Sequence, residues 1–144
     1  MYLSPAEEQL IQTSIQEAEH LTSGEIRLYI EDFCDREHPI ERAAELFFTH
    51  GMTATRDRNA VLIYLAPKSR QFAIWGDAGI HERLGYQFWE EEKQLLRVYL
   101  QQDRTCEGLC AVISKIGEEL HRYFPADHSD NPNELPNEIL YGKK

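Results

Sequence analysis

Residues 55–82, TRDRNAVLIYLAPKSRQFAIWGDAGIHE, decide the fold of this chain. Residues 60–66 are apolar without alternation, which is typical of a strand buried on both faces. Turn-forming residues follow at 67–70, and residues 71–75 then alternate as a second strand. The two segments therefore predict an antiparallel hairpin, in which the end of the second strand returns to the start of the first.

A strand and two helices are predicted upstream of the hairpin. Residues 4–7, Ser-Pro-Ala-Glu, form a capping box that begins a helix. Residues 25–33 alternate as a strand with one polar face, so we expect this strand to lie at a sheet edge. A second helix follows Pro39 and ends at Gly51. Strand, helix and strand in this order favour a parallel crossover.

The C-terminal half reads as helices. We predict a short helical turn capped by Asp77, a long helix over about residues 86–101 and another over about 105–124. Residues 90–92, Glu-Glu-Glu, are interpreted as an exposed helix face with Phe88 or Trp89 turned inward. The whole predicts an α/β fold, a three-layer α/β/α sandwich around a small mixed sheet.

One domain is expected over residues 1–125, because 144 residues leave little room for a second core. Residues 126–144 are rich in Asp, Asn and Pro and are predicted to form an extended or mobile tail. The apolar residues within it are candidates for docking back on the domain: Leu135, Ile139, Leu140 and Tyr141.

Composition narrows the classes of partner. A formal charge of −10 argues against nucleic acid and against anionic membrane surfaces, and it favours a metal cation or a protein partner. No apolar run is long enough to span a bilayer, and the N-terminus does not resemble a signal peptide. Three cysteines, Cys34, Cys106 and Cys110, are expected to be reduced thiols in a cytoplasmic protein. We expect a monomer.

Charged residues are predicted to meet at one end of the sheet. If the first strand runs parallel to the second, its start lies beside residues 56–59, and the hairpin brings residues 76–82 to the same place. Asp57, Asp77 and Glu82, with Glu25 as a further candidate, are the predicted oxygen ligands of Ca²⁺, or less favourably Mg²⁺. The Arg56 and Arg58 guanidinium groups are predicted to bind an anion beside the metal.

Simpler interpretations stand beside these. Asp77 precedes a helix and is equally well explained as its N-cap. Residues 56–58 alternate in sign and also fit a solvated, self-paired loop. His81 is more often a plain surface residue than a ligand. A rival, lower-ranked metal site is the acidic loop at the opposite sheet end, which contains Asp32, Cys34, Asp35, Glu37 and His38.

The run RDRNAVLIYLAPKSRQFAIWGDAGIHERLG, with SGEIRLYIE and AAELFFTHGM upstream, resembles the TPM domain. The resemblance covers roughly residues 4–125, and the hairpin followed by Gly-Asp-Ala-Gly-Ile-His-Glu is its specific part. Ala60 stands where glycine is expected after Asn59. The resemblance implies the same fold and, from the family label "TPM phosphatase", acid-phosphatase activity.

The sequence therefore supports two candidate functions. The first is a calcium-binding TPM-like domain with a regulatory or interaction role, serving an unidentified protein partner. The alternative is a weak metal-dependent acid phosphatase that acts on phosphate monoesters. No catalytic residue is assigned, because the sequence shows no nucleophile and base in a recognisable pattern. Whether the chain is an enzyme stays open at this stage, since a family label transfers fold better than activity.

Overall fold

The computed structural model describes residues 3–126 and 139–142. The chain forms, in order, α1 (Pro5–His20), β1 (Glu25–Ile30), α2 (Pro39–Thr49), β2 (Ala60–Ala66), β3 (Gln71–Gly76), α3 (Ala78–Gln101), α4 (Thr105–Tyr123) and β4 (Leu140–Tyr141). A single 3-10 turn, Pro67–Ser69, joins β2 to β3. None of the described helices is both long and apolar enough to cross a membrane.

The predicted hairpin and crossover are confirmed. The four strands form one sheet in the order β3-β2-β1-β4. β2 pairs antiparallel with β3, so that Val61 lies opposite Gly76. It pairs parallel with β1, where Glu25 lies opposite Ala60. All seven residues of β2 are buried, as the unbroken apolar run predicted.

The sheet separates two apolar cores, which confirms the three-layer sandwich. On one face, Ile26 and Ile63 pack with residues of α1, α3 and α4. On the other face, Leu62 and Tyr64 pack with Phe47 of α2. Successive residues of β2 therefore serve different cores, because side chains alternate across a strand.

The predicted edge position of β1 is wrong. All six of its residues are buried, and β4 pairs with its outer side at Tyr29 and Ile30. The neighbouring Glu31 is buried because its carboxylate accepts hydrogen bonds from Arg42 at 2.9 and 3.0 Å and from the Tyr64 hydroxyl. The sequence alternation predicted that this polar face would be exposed to solvent. Polar side chains are buried there instead, because residues distant in sequence form hydrogen bonds with them.

β4 comes from the segment expected to be a tail. Ile139 is buried, Leu140–Tyr141 pair parallel with β1, and the Tyr141 hydroxyl donates to Glu8 at 2.6 Å. Residues 127–138, which include Leu135, lie outside the described residues. The division of the chain at residue 125 stays a prediction, but residues 139–142 belong to the sheet layer.

The helix boundaries follow the sequence closely. Ser4 and Glu7 form the expected capping box of α1. α3 contains one non-helical residue, Gly85, at φ 77° and ψ 172°. This break separates a short N-terminal segment from a long C-terminal one, as the sequence predicted. Glycine suits the position because its φ lies in the left-handed region.

The predicted exposure of residues 90–92 is wrong for Glu92. This side chain is 5% exposed, and its Oε1 has no hydrogen-bond partner among the described residues. Burial raises its pKa to about 7. Lys115 of α4 lowers the pKa in part, whereas Glu91 of α3 and Glu118 and Glu119 of α4 raise it further. A three-residue run of glutamate cannot lie wholly in water when α4 covers one side of its helix.

Glu92 should make stability fall as pH rises. The folded chain retains the proton up to about pH 7, whereas the unfolded chain releases it near 4.5. The stabilisation that the raised pKa of Glu92 provides is therefore full below pH 4.5 and is lost between pH 4.5 and pH 7. We expect Glu92→Gln to raise the free energy of unfolding at pH 8 by about 1–3 kcal/mol, with little gain at pH 4. Urea unfolding at the two pH values measures the difference, with Glu17→Gln, an exposed glutamate on α1, as control. Equal gains in both variants would contradict the assignment.

Candidate functional site

The loop before β2 is the centre of the candidate site. Residues 55–59 form a tight turn, in which the Arg58 N–H donates to the Thr55 carbonyl at 3.2 Å and the Asn59 N–H donates to the Thr55 hydroxyl at 3.2 Å. Arg58 adopts φ 51°, a left-handed conformation that is uncommon outside glycine. The turn directs the Arg58 side chain toward the start of α3.

Arg58 and Asp77 form a two-point ion pair across this end of the sheet. The Arg58 Nε and Nη2 donate to the two Asp77 carboxylate oxygens at 2.7 and 2.8 Å. Hydrogen bonding to Asp77 raises the pKa of Arg58. The Asp77 side chain is 4% exposed, whereas that of Arg58 is 47% exposed. The carboxylate is thus the fixed, buried partner and the guanidinium the one accessible from solvent.

Asp77 is also the N-cap of α3. Its Oδ1 accepts a hydrogen bond from the Ala78 N–H at 2.8 Å, and its own N–H donates to the Ala60 carbonyl. Capping was one of the two interpretations of this residue, and the structure places it in that role. Its other role, the ion pair with Arg58, was not predicted as such. The sequence predicted only that the two charged segments would meet.

Gly79 lets the first turn of α3 lie directly on the loop. Its N–H donates to the Arg58 carbonyl at 2.9 Å. A Cβ at this position would stand 2.2 Å from the Asp57 carbonyl oxygen, so no larger residue fits without moving the backbone. The loop and the helix start therefore form one tightly packed unit.

Three oxygen-bearing side chains lie side by side at the loop, two from the loop itself and one from the segment before β1. The Ser23 hydroxyl donates to the Asp57 carboxylate at 3.5 Å, and the Asn59 amide nitrogen donates to the Ser23 hydroxyl at 3.1 Å. Asn59 is buried, and its Oδ1 has no hydrogen-bond partner among the described residues. Neither Ser23 nor Asn59 was predicted as a ligand, since neither residue type marks a site by itself.

The remaining predicted ligands are more dispersed. Glu82 is exposed on the first turns of α3. The Arg56 Nε lies 4.0 Å from Asp57, and the Arg56 side chain is 61% exposed. His81 is exposed and lies beside the rings of Trp75 and Trp89. Across residues 3–126 and 139–142, no three side chains of the His, Cys, Asp and Glu types gather closely enough to hold a metal ion.

Glu25 lies in a carboxyl pair that the sequence did not reveal. Burial and a hydrogen bond with Glu25 raise the pKa of Glu19 to about 9, so the pair shares a proton at neutral pH. The Glu19 Oε2 also accepts from the Ile26 N–H at 2.8 Å. Glu19 belongs to α1 and Glu25 to β1, and nothing in their sequence spacing indicates that the two elements bring them together.

Two acidic side chains of the rival loop are held in ion pairs. Asp32 lies 3.2 Å from Lys68, and Asp35 lies 2.7 Å from Arg36. The Cys34 N–H donates to the Ser69 hydroxyl at 2.8 Å. Glu37 and His38 are exposed. The loop is therefore better described as a set of ion pairs than as a ligand set.

Cys106 is poorly suited to nucleophilic catalysis. All three are free thiols, in keeping with the sequence expectation. Burial and the neighbouring Cys110 raise the pKa of Cys106 to about 11. Because the thiolate is the reactive form, Cys106 is almost wholly unreactive at neutral pH.

Comparisons with known proteins agree with this fold. The chain matches the family model of the TPM domain over residues 1–119. It is similar to the BA42 protein from the psychrophilic bacterium Bizionia argentinensis, whose NMR structure aligns with a TM-score of 0.91 at 34% identity, covering 99% of this chain and 97% of that one. A solution NMR structure of the N-terminal domain of the cg2496 protein from Corynebacterium glutamicum aligns with a TM-score of 0.66 at 15% identity, covering 96% and 80%. That likeness concerns the fold alone. A search of curated proteins found no match.

The Arg58–Asp77 pair leads to a stability prediction. Asp77→Ala removes the helix cap and leaves Arg58 without its partner, so we expect the free energy of unfolding to fall by about 1–3 kcal/mol. Urea unfolding monitored by circular dichroism measures the loss. The matched control is Asp35→Ala, which removes an exposed ion pair and should cost less than about 1 kcal/mol. Equal losses in the two variants would show that the Asp77 contacts contribute no more than a surface pair.

Proposed function

The chain belongs to the TPM domain family, and we propose that it is a regulatory domain that binds a divalent cation, Ca²⁺ in preference to Mg²⁺. The proposed site is the sheet end at which Ser23, Asp57 and Asn59 adjoin. The observation that carries the proposal is the buried Asn59 Oδ1, which has no hydrogen-bond partner among the described residues. A buried acceptor left in this state costs about 1–3 kcal/mol, and a bound cation would offset that cost.

The donor types favour calcium. A carboxylate, an amide oxygen and a hydroxyl are hard oxygen ligands, and Ca²⁺ accepts irregular sets of them. Mg²⁺ demands near-octahedral geometry and releases its water reluctantly. With only one carboxylate at the outset, the site should be weak, with a Kd on the order of 10⁻⁴–10⁻³ M.

Two further carboxylates, Asp77 and Glu82, lie at the start of α3, next to the loop. Asp77 is held by Arg58, whose half-exposed guanidinium is free to turn into solvent if a cation replaces it. Glu82 lies on the exposed first turns of α3. Recruiting either residue would couple cation binding to the contact between the loop and α3, and this coupling is the proposed regulatory step. An unidentified protein partner would then bind the surface that the cation has altered.

A calcium titration of isotopically labelled protein tests the site residue by residue. We expect saturable amide shifts centred on Ser23, Asp57, Asn59 and Gly79, with a smaller response to Mg²⁺. Asp57→Asn removes the accessible charge and should raise the Kd by about tenfold. Asp35→Asn, which alters the rival loop, should leave the Kd unchanged. Shifts centred on residues 32–38, or an Asp35→Asn effect larger than that of Asp57→Asn, would move the site to the other sheet end.

Phosphate-ester hydrolysis is the second candidate function. The observation that favours it is the largely exposed Arg56 side chain beside Asp57, 4.0 Å away. A guanidinium next to a cation would supply charge neutralisation for a phosphoryl group, and the cation would supply Lewis-acid activation of the ester. Cys106 is a poor alternative nucleophile, since burial keeps its thiol protonated. The Arg56 side chain is 61% exposed and that of Arg58 is 47% exposed, so Arg56 is the more accessible anion-binding residue of the two.

Turnover of a generic aryl phosphate tests this second function. Highly purified protein should hydrolyse it slowly, lose the activity on chelation and regain it with added Ca²⁺ or Mg²⁺. Arg56→Gln and Asp57→Asn should each reduce the rate by about tenfold or more. The exposed Arg122→Gln is the control and should have no effect. Activity that survives chelation and both site variants would belong to a contaminant, and no activity would contradict this second function.

A further inference from the structure

A second cleft lies at the opposite end of the sheet, away from the candidate cation site. It has a volume of about 560 Å³ and is bounded by the turn between β2 and β3, by β3 itself and by the C-terminal end of α3. This volume falls within the range of small-molecule sites in proteins. Neither the proposed cation site nor the rival acidic loop contributes to its lining.

Two arginines line this cleft without an ion-pair partner. In the described part of the chain, no carboxylate oxygen lies within 4 Å of the guanidinium of Arg70 or Arg97. Arg70 is held by the turn, with φ 54°, so its backbone direction is fixed. The Arg97 guanidinium lies 5.4 Å from the centroid of the Phe72 ring and donates to Gln94 at 3.2 Å. In a chain of charge −10, two guanidinium groups that line one cleft without a carboxylate in contact among the described residues make this part of the surface locally positive.

The rest of the lining defines the kind of ligand. Leu65, Phe72 and Leu100 provide an apolar wall, and Asp103 places one carboxylate in the same cleft. Two arginines and one aspartate give the cleft a net charge of about +1. A singly charged anion matches that balance better than a doubly charged phosphate ester. The apolar wall requires the anion to carry a hydrophobic body.

We propose that this cleft binds small amphipathic monoanions, in which an aromatic or aliphatic body packs on Phe72 and a carboxylate or sulfonate group pairs with Arg70 and Arg97. Guanidinium groups suit this task because they form forked hydrogen bonds to planar anions and stack on rings at the same time. Asp103 acts as a selectivity element that disfavours dianions. The proposal is independent of cation binding at the other sheet end.

The probe is 8-anilinonaphthalene-1-sulfonate, an aromatic monoanion, and its neutral counterpart is N-phenyl-1-naphthylamine. Titration of labelled, folded protein should give saturable amide shifts at residues 70–72 and 100–105 with the anion. The neutral compound should bind at least about tenfold more weakly, because it lacks the group that pairs with the arginines. Shifts spread over other surfaces, or equal binding of the two compounds, would overturn the proposal.

Matched variants distinguish charge-dependent binding from nonspecific hydrophobic binding. Arg70→Gln and Arg97→Gln should each weaken binding of the anion by about tenfold and leave the neutral compound unaffected. Asp103→Asn should lower the Kd of the anion by a few-fold, because it removes a negative charge that repels the anion. Arg122→Gln, an exposed arginine on α4, should change nothing. Since the altered side chains are all exposed, the fold should persist, and the amide spectrum of each variant verifies this. Unchanged anion binding in the Arg70→Gln/Arg97→Gln double variant would also overturn the proposal.

Discussion

The structure depends on one constraint, which is that β2 has no face in contact with water. A strand with seven buried residues must be covered on both sides, and its backbone must be paired on both edges. β1 and β3 supply the pairing, while α2 covers one face and α1, α3 and α4 cover the other. The three-layer arrangement follows from this demand. So does the meeting of loops at the ends of the sheet, because parallel β1 and antiparallel β3 bring residues 22–25, 55–59 and 76–82 to the same edge.

Local patterns were sufficient to predict most of the fold. The apolar run of β2, the capping box at Ser4 and the turn residues at 67–70 each specify their structure through neighbouring residues. The errors concern features set by distant residues. Glu31 is buried because Arg42 and Tyr64 satisfy it, and Glu92 is buried because α4 covers it. Ile139, Leu140 and Tyr141 were candidates for docking on the domain, but the strand β4 was not predicted, because two residues that pair with a distant strand carry no periodic signal of their own.

The candidate site shows the same division. The sequence predicted that residues 56–59 and 76–82 would meet, and strand pairing alone was enough for that inference. It did not determine how the charges distribute once they meet. Arg58 takes Asp77 as its partner and leaves Asp57 toward solvent, a choice fixed by the left-handed turn at Arg58 and by the close approach of Gly79. Asn59 and Glu19 became visible only in three dimensions, because their significance lies in burial and in partners rather than in residue type.

The pairing of β4 with β1 has a consequence for how the chain is made. β1 acquires its neighbour β2 within some thirty residues, but Tyr29 and Ile30 keep an open hydrogen-bonding edge until residues 140–141 have been synthesised. An open strand edge is a template for pairing with other chains. Contacts between such distant positions also form late, because a long loop must close first. Newly made chains therefore pass through a period in which β3 is already paired while the edge of β1 at Tyr29 and Ile30 is unprotected, and the pairing of β4 ends that period.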